Sequence, residues 1–293
     1  MTFKKKKEGS TIRESGWRRA YRIFNGIILT LICMVVVLPI WNVVITSLAE
    51  DKDVMGGVFL LFPKSITLKN YIRVLSSGYM KGFCNSLLIA VSGTITAMAV
   101  TVPLGYALAH KKLIFRRFFM RAVSITLVFE AGIMPFYVLI RALGLIDSYL
   151  SLILPFAVST FNLIIVKNYM SSIPDSLAES ARLDGCNDIQ VLTKIIMPIS
   201  IPILAAVTLF YFVSYWNRYT EAVMFINSSK KYTLQVMLRA LVFQGDGSLG
   251  ENNIVYDNTK MAVMVLGMLP VLIIYPFVQQ YFVTGLMVGS VKE

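Results

Sequence analysis

The sequence has little charge, one histidine and three cysteines, and each shortage narrows the class of protein. Charged residues make up 15% of the 293 residues, whereas soluble chains carry roughly 25%, so an ordinary soluble domain is excluded. His110 has no companion base or nucleophile that would indicate catalysis. Cys33, Cys84 and Cys186 are scattered and odd in number, which argues against a disulfide framework or a zinc site. We therefore expect no metal and no cofactor on this chain.

A phosphate-binding loop is also missing. No segment matches G-x-x-x-x-G-K-[ST]. Gly245, Gly247 and Gly250 match G-x-G-x-x-G literally, but no strand precedes them and no helix follows in an α/β unit, as a dinucleotide site requires. If the chain transports anything, its energy must therefore come from a partner subunit or from an ion gradient.

What the sequence has instead is apolar residues, 56% of the total, gathered into long uncharged runs. A run of about 20 such residues crosses the 30 Å hydrocarbon core of a bilayer as a helix. Six runs predict six transmembrane helices: Phe24–Leu48, Cys84–Ala109, Ala122–Ile140, Tyr149–Val166, Ile199–Phe225 and Met261–Val283. Prolines within these spans predict kinked helices packed in a bundle. The fold class is therefore an all-α membrane protein.

The basic residues predict the orientation of these spans. An even number of spans leaves both termini on one side. With the N-terminus inside, the inner segments carry 17 Lys or Arg and the outer segments carry 10. The positive-inside rule then predicts cytoplasmic termini, with a basic tail at 1–23 and a membrane domain at 24–293. It also predicts outer loops at 49–83 and 226–260, and a cytoplasmic loop at 171–198.

The loop Ser171–Pro198 is a polar interruption with the pattern of two short helices. Ser172 and Asp175 predict a capping box at the start of the first helix. Gly185 is typical of a helix end, and Asn187 is a good N-cap for a second helix. Ile173, Leu177 and Ala181 are predicted on one apolar face, and Ile189, Leu192 and Ile196 on the apolar side of the second helix.

The same loop carries a family motif. Glu179-Ser180-Ala181, then Gly185 after three residues, then Ile195-x-Met197-Pro198 after nine more, resembles the EAA loop of bacterial ABC-importer permeases, E-A-A-x3-G-x9-I-x-L-P. Ser180 for Ala and Met197 for Leu are the departures, and both are close in size. SLILPFAVSTFNLIIVKNYM, LFYFVSYWNRY and QQYFVTGLMVGSVKE also resemble the maltose-permease type of carbohydrate importer, in the subgroup for oligosaccharides of plant or algal polysaccharides.

The resemblance implies a type I ABC-importer permease fold in the bacterial cytoplasmic (inner) membrane. It implies four partners: a second homologous permease, two ATPase subunits that hold ATP and Mg, and an extracytoplasmic solute-binding protein. The chain itself would be no enzyme. A coupling site for the ATPase is implied at Ala178, Glu179, Ser180, Ala181, Arg182, Asp184 and Gly185. The small residues there would allow close approach, and Glu179, Arg182 and Asp184 would make polar contacts.

Charged and aromatic residues inside the membrane are candidates for a substrate pathway: Tyr215, Trp216, Asn217, Arg218, Glu221 and Glu130. Arg218 and Glu221 are three residues apart and can pair on one helix face. Either they line the pathway, with Tyr215 and Trp216 presenting flat faces to sugar rings, or they are a snorkelling pair within an aromatic belt at the outer interface. Glu130 departs from the small polar residues usual in relatives, and both a partner such as Arg218 and a protonated side chain stay open.

The resemblance and Arg218 together favour an acidic oligosaccharide, such as alginate or pectin fragments, as the substrate. An outer loop at 243–256 is the segment that would enter the binding protein. The alternative function is an ion-coupled secondary transporter, which should show intramembrane ion ligands and inverted repeats. A membrane-embedded enzyme ranks third, since no nucleophile set, acid–base pair or metal cluster is evident.

Overall fold

The computed structural model describes residues 16–54, 61–63, 65–111, 113–129, 131–243 and 257–290, the last ten by backbone alone. These residues fold into helices, with one isolated antiparallel bridge between Ala49 and Ile66 among them. The predicted all-α class is confirmed. Glu130 and residues 244–256, predicted as a pathway residue and as most of an outer loop, lie outside the described residues.

Three continuous helices are long and apolar enough to cross a membrane: α1 (Gly16–Leu48), α4 (Tyr79–Ala109) and α15 (Asp257–Ser290). They correspond to the first, second and sixth predicted spans. Each begins before the predicted apolar run, because the polar residues that precede the run continue the same helix. Prolines lie inside all three without ending them.

The other three predicted spans are each broken into two helices. α5 (Arg116–Val128) is followed by α6 (Ile133–Ala142), and α7 (Leu150–Ile153) with its 3-10 turn Leu154–Phe156 meets α8 (Thr160–Ser172) at 43°. α12 (Ile201–Trp216) turns by 87° from the helices that precede it. The described part of the chain therefore contains three candidate spans, or up to six if each bent pair counts as one.

The fifth predicted span needs a correction. Ile199–Phe225 is not one helix, because α12 ends at Trp216 and α13 begins again at Thr220 (Thr220–Phe225). Asn217 is the C-cap of α12. The chain is therefore non-helical just where Arg218 lies.

Small residues on α4 bring the core helices together. A Cβ on Gly93 would lie 2.8 Å from the ring of Tyr215 on α12, and a Cβ on Gly105 would lie 2.8 Å from Val166 on α8. The small residues of this helix therefore permit close packing of its neighbours. Thr101 Oγ1 and Tyr211 OH lie 2.7 Å apart in the same core.

Polar contacts fasten the helix ends at the pole that carries α2 (Asp51–Val54), α3 (Lys69–Ser76) and α14 (Leu234–Phe243). Arg73 on α3 binds Asp51 through both Nη atoms, at 3.0 and 2.9 Å, and Asn258 at the start of α15 donates to Asp51 Oδ1 at 2.6 Å. The bond from Arg73 is the main reason that the pKa of Asp51 lies below its usual range.

At the same end of the bundle, Asp147 joins the loop between α6 and α7 to the loop that follows α13. Its carboxylate accepts from the backbone N–H of Ser228 at 2.9 Å, from Ser228 Oγ at 2.8 Å, from Lys231 Nζ at 3.0 Å and from the N–H of Asn227 at 3.1 Å. Its own N–H donates to Phe225 O at 2.7 Å. These bonds, those from Ser228 first, hold the pKa of Asp147 well below its usual range. They fix the loop that follows α13.

Candidate coupling helix and transport pathway

The predicted first helix of the polar loop is α9 (Asp175–Leu183), but the capping box predicted at its start is wrong. Ser172 is the last residue of α8, and its Oγ donates to Tyr169 O at 2.7 Å. Ile173 and Pro174 are extended, with ψ of 132° and 130°. Those two residues separate Ser172 from α9, so its hydroxyl cannot reach the first turn.

The end of α9 forms as the sequence predicts. Gly185 has φ +89°. Its N–H donates to Arg182 O, and the next N–H, of Cys186, donates to Ala181 O, both at 3.0 Å. This is the Schellman pattern, which needs a residue that tolerates the left-handed region. No heavy atom lies within 4 Å of a Cβ built on Gly185, so the space beside it is open.

The second helix also begins as predicted. Asn187 Oδ1 accepts from Gln190 N, and Asn187 N donates to Gln190 Oε1, both at 2.9 Å. This capping box opens α10 (Asp188–Val191). A π turn at Leu192–Ile196 and the short α11 (Met197–Ile199) then lead into α12. The polar loop is therefore an elbow, with α9 on one arm and α10–α11 on the other, and α12 follows after the 87° turn.

The inner face of α9 consists of Ala178 and Ala181, which are buried among core residues that include Val191 and Ile196. This corrects two predictions. The alanines pack α9 onto its own chain, so their side chains are not available to a partner. Leu177, predicted on the inner face, is 43% exposed.

The outer face of the elbow combines polar and apolar side chains. Glu179, Ser180, Asp184 and Gly185 are exposed, as a docking surface requires. Leu183 is 89% exposed and Ile189, predicted on the apolar inner side, is 73% exposed. Large apolar side chains beside a polar loop mark a surface that another protein can cover.

Arg182 faces its own chain instead of the outer surface. Its Nη2 lies 2.9 Å from Asp188 Oδ1 and 2.7 Å from His110 Nε2, at the end of α4. Beside it, Lys111 Nζ lies 3.2 Å from Asp175 Oδ2. The hydrogen bond to Asp188 is the main reason that the pKa of Arg182 is raised. These side chains surround a cavity of about 360 Å³.

Arg218 is the centre of the second candidate site. Its side chain is 9% exposed, and its Cζ lies 3.5 Å above the ring of Phe156. Nη1 donates to Glu221 Oε1 at 3.2 Å and Nη2 to Ser214 Oγ at 3.3 Å. The predicted pair with Glu221 therefore forms. Nε is buried and has no acceptor among the described residues.

Two cavities, of about 470 and 820 Å³, meet at this arginine. Residues common to both are Thr126, Phe156, Val158, Thr160, Ser214 and Arg218. The larger one also reaches Asn217 and Glu221 at the break between α12 and α13. Hydroxyl groups, an Arg–carboxylate pair and aromatic rings therefore line one cleft, which has the chemistry of a polyhydroxylated ligand site.

Tyr215 and Trp216 are not on the wall of that cleft, and the prediction that they present flat faces to sugar rings is wrong. Both are buried in the core. Tyr215 OH donates to Ile153 O at 3.1 Å, and Trp216 Nε1 donates to Gly267 O at 3.0 Å. The aromatic belt interpretation fails for the same reason, since a belt residue is exposed to the interface.

Sequence reasoning missed Phe156, Ser214, Thr126 and Thr160 as cleft residues. The first three lie on three separate elements that meet only in the folded chain. The sequence did contain one signal of a helix break here: Phe156 follows Pro155, and Thr160 follows Ser159, the N-cap of α8. A broken helix inside a membrane segment is tolerated where it lines a cavity.

Comparison with known proteins gives a family. The sequence-family model for binding-protein-dependent transport system inner membrane components matches residues 101–288, which include the elbow and Arg218. The polygalacturonan/rhamnogalacturonan transport system permease protein YtcP of Bacillus subtilis is 39% identical over 92% of this chain and 99% of its own. The arabinooligosaccharides transport system permease protein AraQ of the same organism is 30% identical over 96% of this chain and 99% of its own.

A solved structure is similar in fold and in sequence. It is the crystal structure of a bacterial ABC transporter involved in the import of the acidic polysaccharide alginate. One of its chains superposes with a TM-score of 0.86 at 33% identity, covering 93% of this chain and 100% of that chain.

Proposed function

The chain belongs to the family of binding-protein-dependent transport system inner membrane components, and from that premise we propose that it carries an acidic oligosaccharide through a cleft at Arg218, driven by ATPase subunits that dock on α9. It is a permease subunit of a carbohydrate ABC importer in the inner membrane. The observation that carries the proposal is the buried, incompletely bonded guanidinium of Arg218 on the wall of two cavities.

We propose six spans, with α5–α6, α7–α8 and α12–α13 as the third, fourth and fifth and with both termini in the cytoplasm. The 1–23 tail and the elbow are then cytoplasmic, and the loops at 49–83 and 226–260 are outside. The excess of Lys and Arg on the inner segments supports this orientation. The Asp147 and Asp51 contacts then hold the outer ends of the helices.

The elbow is the proposed site of coupling. Its exposed face, with Glu179, Ser180, Leu183, Asp184 and Gly185, is the surface for an ATPase subunit. The buried alanines fasten α9 to α10 and the π turn that follows it. A displacement of α9 is therefore passed along the chain into α12, the helix that ends at the Arg218 cleft. ATP and Mg belong to the ATPase subunits, and the chain has no catalytic role of its own.

The remaining partners follow from the same premise. A second, homologous permease completes the membrane pathway, and an extracytoplasmic solute-binding protein delivers the oligosaccharide to it. The exposed apolar surfaces of α1 and α5 are available to that second permease and to lipid. The division into a 1–23 tail and a 24–293 permease domain belongs to this proposal.

An acidic substrate suits the chemistry of Arg218. The guanidinium stacks on Phe156, which leaves the edge of the group open in its plane, and only two of its five N–H donors bond Glu221 and Ser214. Nη1 and Nη2 each make one hydrogen bond, to Glu221 at 3.2 Å and to Ser214 at 3.3 Å. Nε makes no hydrogen bond to a described residue. A carboxylate bound edge-on makes two parallel, charge-assisted bonds to such a group. YtcP and the alginate importer are named for acidic polysaccharides, which supports this substrate class.

Uptake by reconstituted vesicles tests the proposal. The chain is purified with its partner permease and ATPases, and uptake of a labelled oligogalacturonide delivered by the binding protein is measured. We expect uptake to require ATP on the ATPase side and to be unaffected when ion gradients are collapsed. Uptake by the permease alone, driven by a proton or sodium gradient, would instead establish the ion-coupled secondary transporter.

A further inference from the structure

We infer that His110 is a positioning residue for coupling, because it ties the end of α4 to Arg182 and so gives movements of the elbow a second route into the helix bundle. The inference rests on the proposed coupling role of α9. The first route is the chain itself, from α9 through α10 to α12. The second route runs from α9 to the end of α4 through side-chain contacts.

The chemistry of the contact fixes the role of each group. Arginine has only donors, so at the 2.7 Å distance between Arg182 Nη2 and His110 Nε2 the imidazole nitrogen is the acceptor and carries no proton. Asp188 Oδ1 receives Arg182 Nε and Nη2 at 3.2 and 2.9 Å. Arg182 therefore joins three elements: α9, which bears it, α10, and the C-terminal end of α4.

The position of these contacts favours transmission over simple packing. Side chains cross the gap between α4 and α9, and a cavity of about 360 Å³ lies between them. The parallel contact, Lys111 with Asp175, is largely exposed, at 73% and 65%. Exposed polar bridges add little to stability, but they can fix the relative position of two elements that move.

α4 is suited to carry the displacement across the molecule. It is a single helix of 31 residues, about 45 Å long at 1.5 Å per residue. Near its far end, Asn85 Nδ2 donates to Lys230 O and Tyr232 O, and Ser86 Oγ accepts from Leu234 N at 2.9 Å. A shift of His110 by the elbow is thus connected, through one continuous helix, to the loop between α13 and α14.

The test compares three substitutions of His110 in the reconstituted complex, with oligogalacturonide transported per ATP hydrolysed as the readout. His110→Gln keeps an acceptor for Arg182, whereas His110→Lys removes it and places a second cation there. We expect His110→Lys to lower the ratio about fivefold, in the range by which mutations along a coupling route act, and His110→Gln to stay near wild type. His110→Glu, whose carboxylate can pair with Arg182, should also keep the ratio near the wild-type value.

A double variant keeps the test decisive. With Arg182→Met already present, His110→Lys should cause no further loss, since the contact is already gone. Equal losses for His110→Gln and His110→Lys, a wild-type ratio for His110→Lys, or additive losses in the double variant would each overturn the inference. Uptake by the wild-type complex that does not depend on ATP would contradict the proposed function instead, so the two failures are distinguishable.

Discussion

Arg182 and Arg218 are the same side chain used in opposite ways. Arg182 is 39% exposed and joins α9 and α10 of the elbow to the end of α4 through Asp188 and His110. Arg218 is 9% exposed, stacks on Phe156, has the ring of Tyr215 5.2 Å from its Cζ, and pairs with a carboxylate three residues along its own chain. The first arginine joins parts that can move relative to one another, and the second is held in place with donors to spare.

The difference separates two tasks of a transporter. A contact that transmits movement must be strong enough to hold and open enough to rearrange, which suits exposed polar bridges. A contact that selects a substrate must be fixed and desolvated, so that a wrong ligand leaves buried groups unpaired. The two arginines meet these requirements at the elbow and at the α12–α13 break.

The largest expected effect is at Arg218. Arg218→Met keeps an apolar group over Phe156 but removes the guanidinium. We expect uptake of an oligogalacturonide to fall about 100-fold, within the cost of truncating one partner of a buried charge pair, and uptake of a neutral oligosaccharide of equal length to fall far less. Glu221→Gln is the matched control: it removes the carboxylate that competes for Arg218, so acidic uptake should be retained or increased. An equal loss for both sugars after Arg218→Met would mean that this arginine holds α12 and α13 together and does not select.

The next effect is at Gly185. Gly185→Ala places a Cβ in the left-handed region, which costs about 1–2 kcal/mol, in a space that is open in this chain. We expect the elbow to distort and the transport per ATP to fall several-fold. Gly144 provides a close control, because it also has positive φ, +68°, and open space, but lies in the loop before Asp147. If Gly144→Ala lowers the ratio as much as Gly185→Ala, backbone strain alone explains the loss, and the elbow has no special role.

The smallest effect is at Asp147, in a contact that belongs to neither task. Because its pKa is lowered in the folded protein, the carboxylate stabilises the loop that follows α13 at neutral pH. That stabilisation is lost as the pH falls through the folded pKa. Asp147→Asn should lower the unfolding temperature slightly at neutral pH, and the difference from wild type should shrink under strongly acidic conditions. A difference that is constant with pH, measured by thermal unfolding in detergent, would show that the charge is irrelevant.

More of the elbow than of the cleft could be predicted from the sequence, because the shape of the elbow depends on local hydrogen bonds. Gly185 and Asn187 act on residues three to five positions away, so their spacing in the sequence is sufficient evidence. The inner face of α9 could not be predicted as well. Leu177 and Ala178 are adjacent in the sequence, and both lie at a helical spacing from Ala181, so the pattern allows either on the inner face. Only the packing of α10 against α9 selects the smaller residue for burial.

At the cleft, the sequence predicted the pair of Arg218 and Glu221 but misplaced their aromatic neighbours. Tyr215 is buried because Gly93, on α4, leaves room for its ring. No pattern around Tyr215 contains that information. Phe156 holds the guanidinium for a similar reason, since the turn after α7 brings it under α12. Tertiary placement therefore decided that Phe156, at 3.5 Å, lies closer to the cation than Tyr215, at 5.2 Å.

The central claim, that the exposed face of α9 receives the ATPase, is tested most directly by a photo-crosslinking amino acid at Leu183. This side chain is 89% exposed. In membranes that contain the whole complex, we predict a crosslink from position 183 to an ATPase subunit. A control crosslinker at Val36, on the exposed surface of α1, should reach lipid or the second permease instead. A crosslink from position 183 to the extracytoplasmic binding protein, or none to an ATPase in an assembled and active complex, would contradict the account.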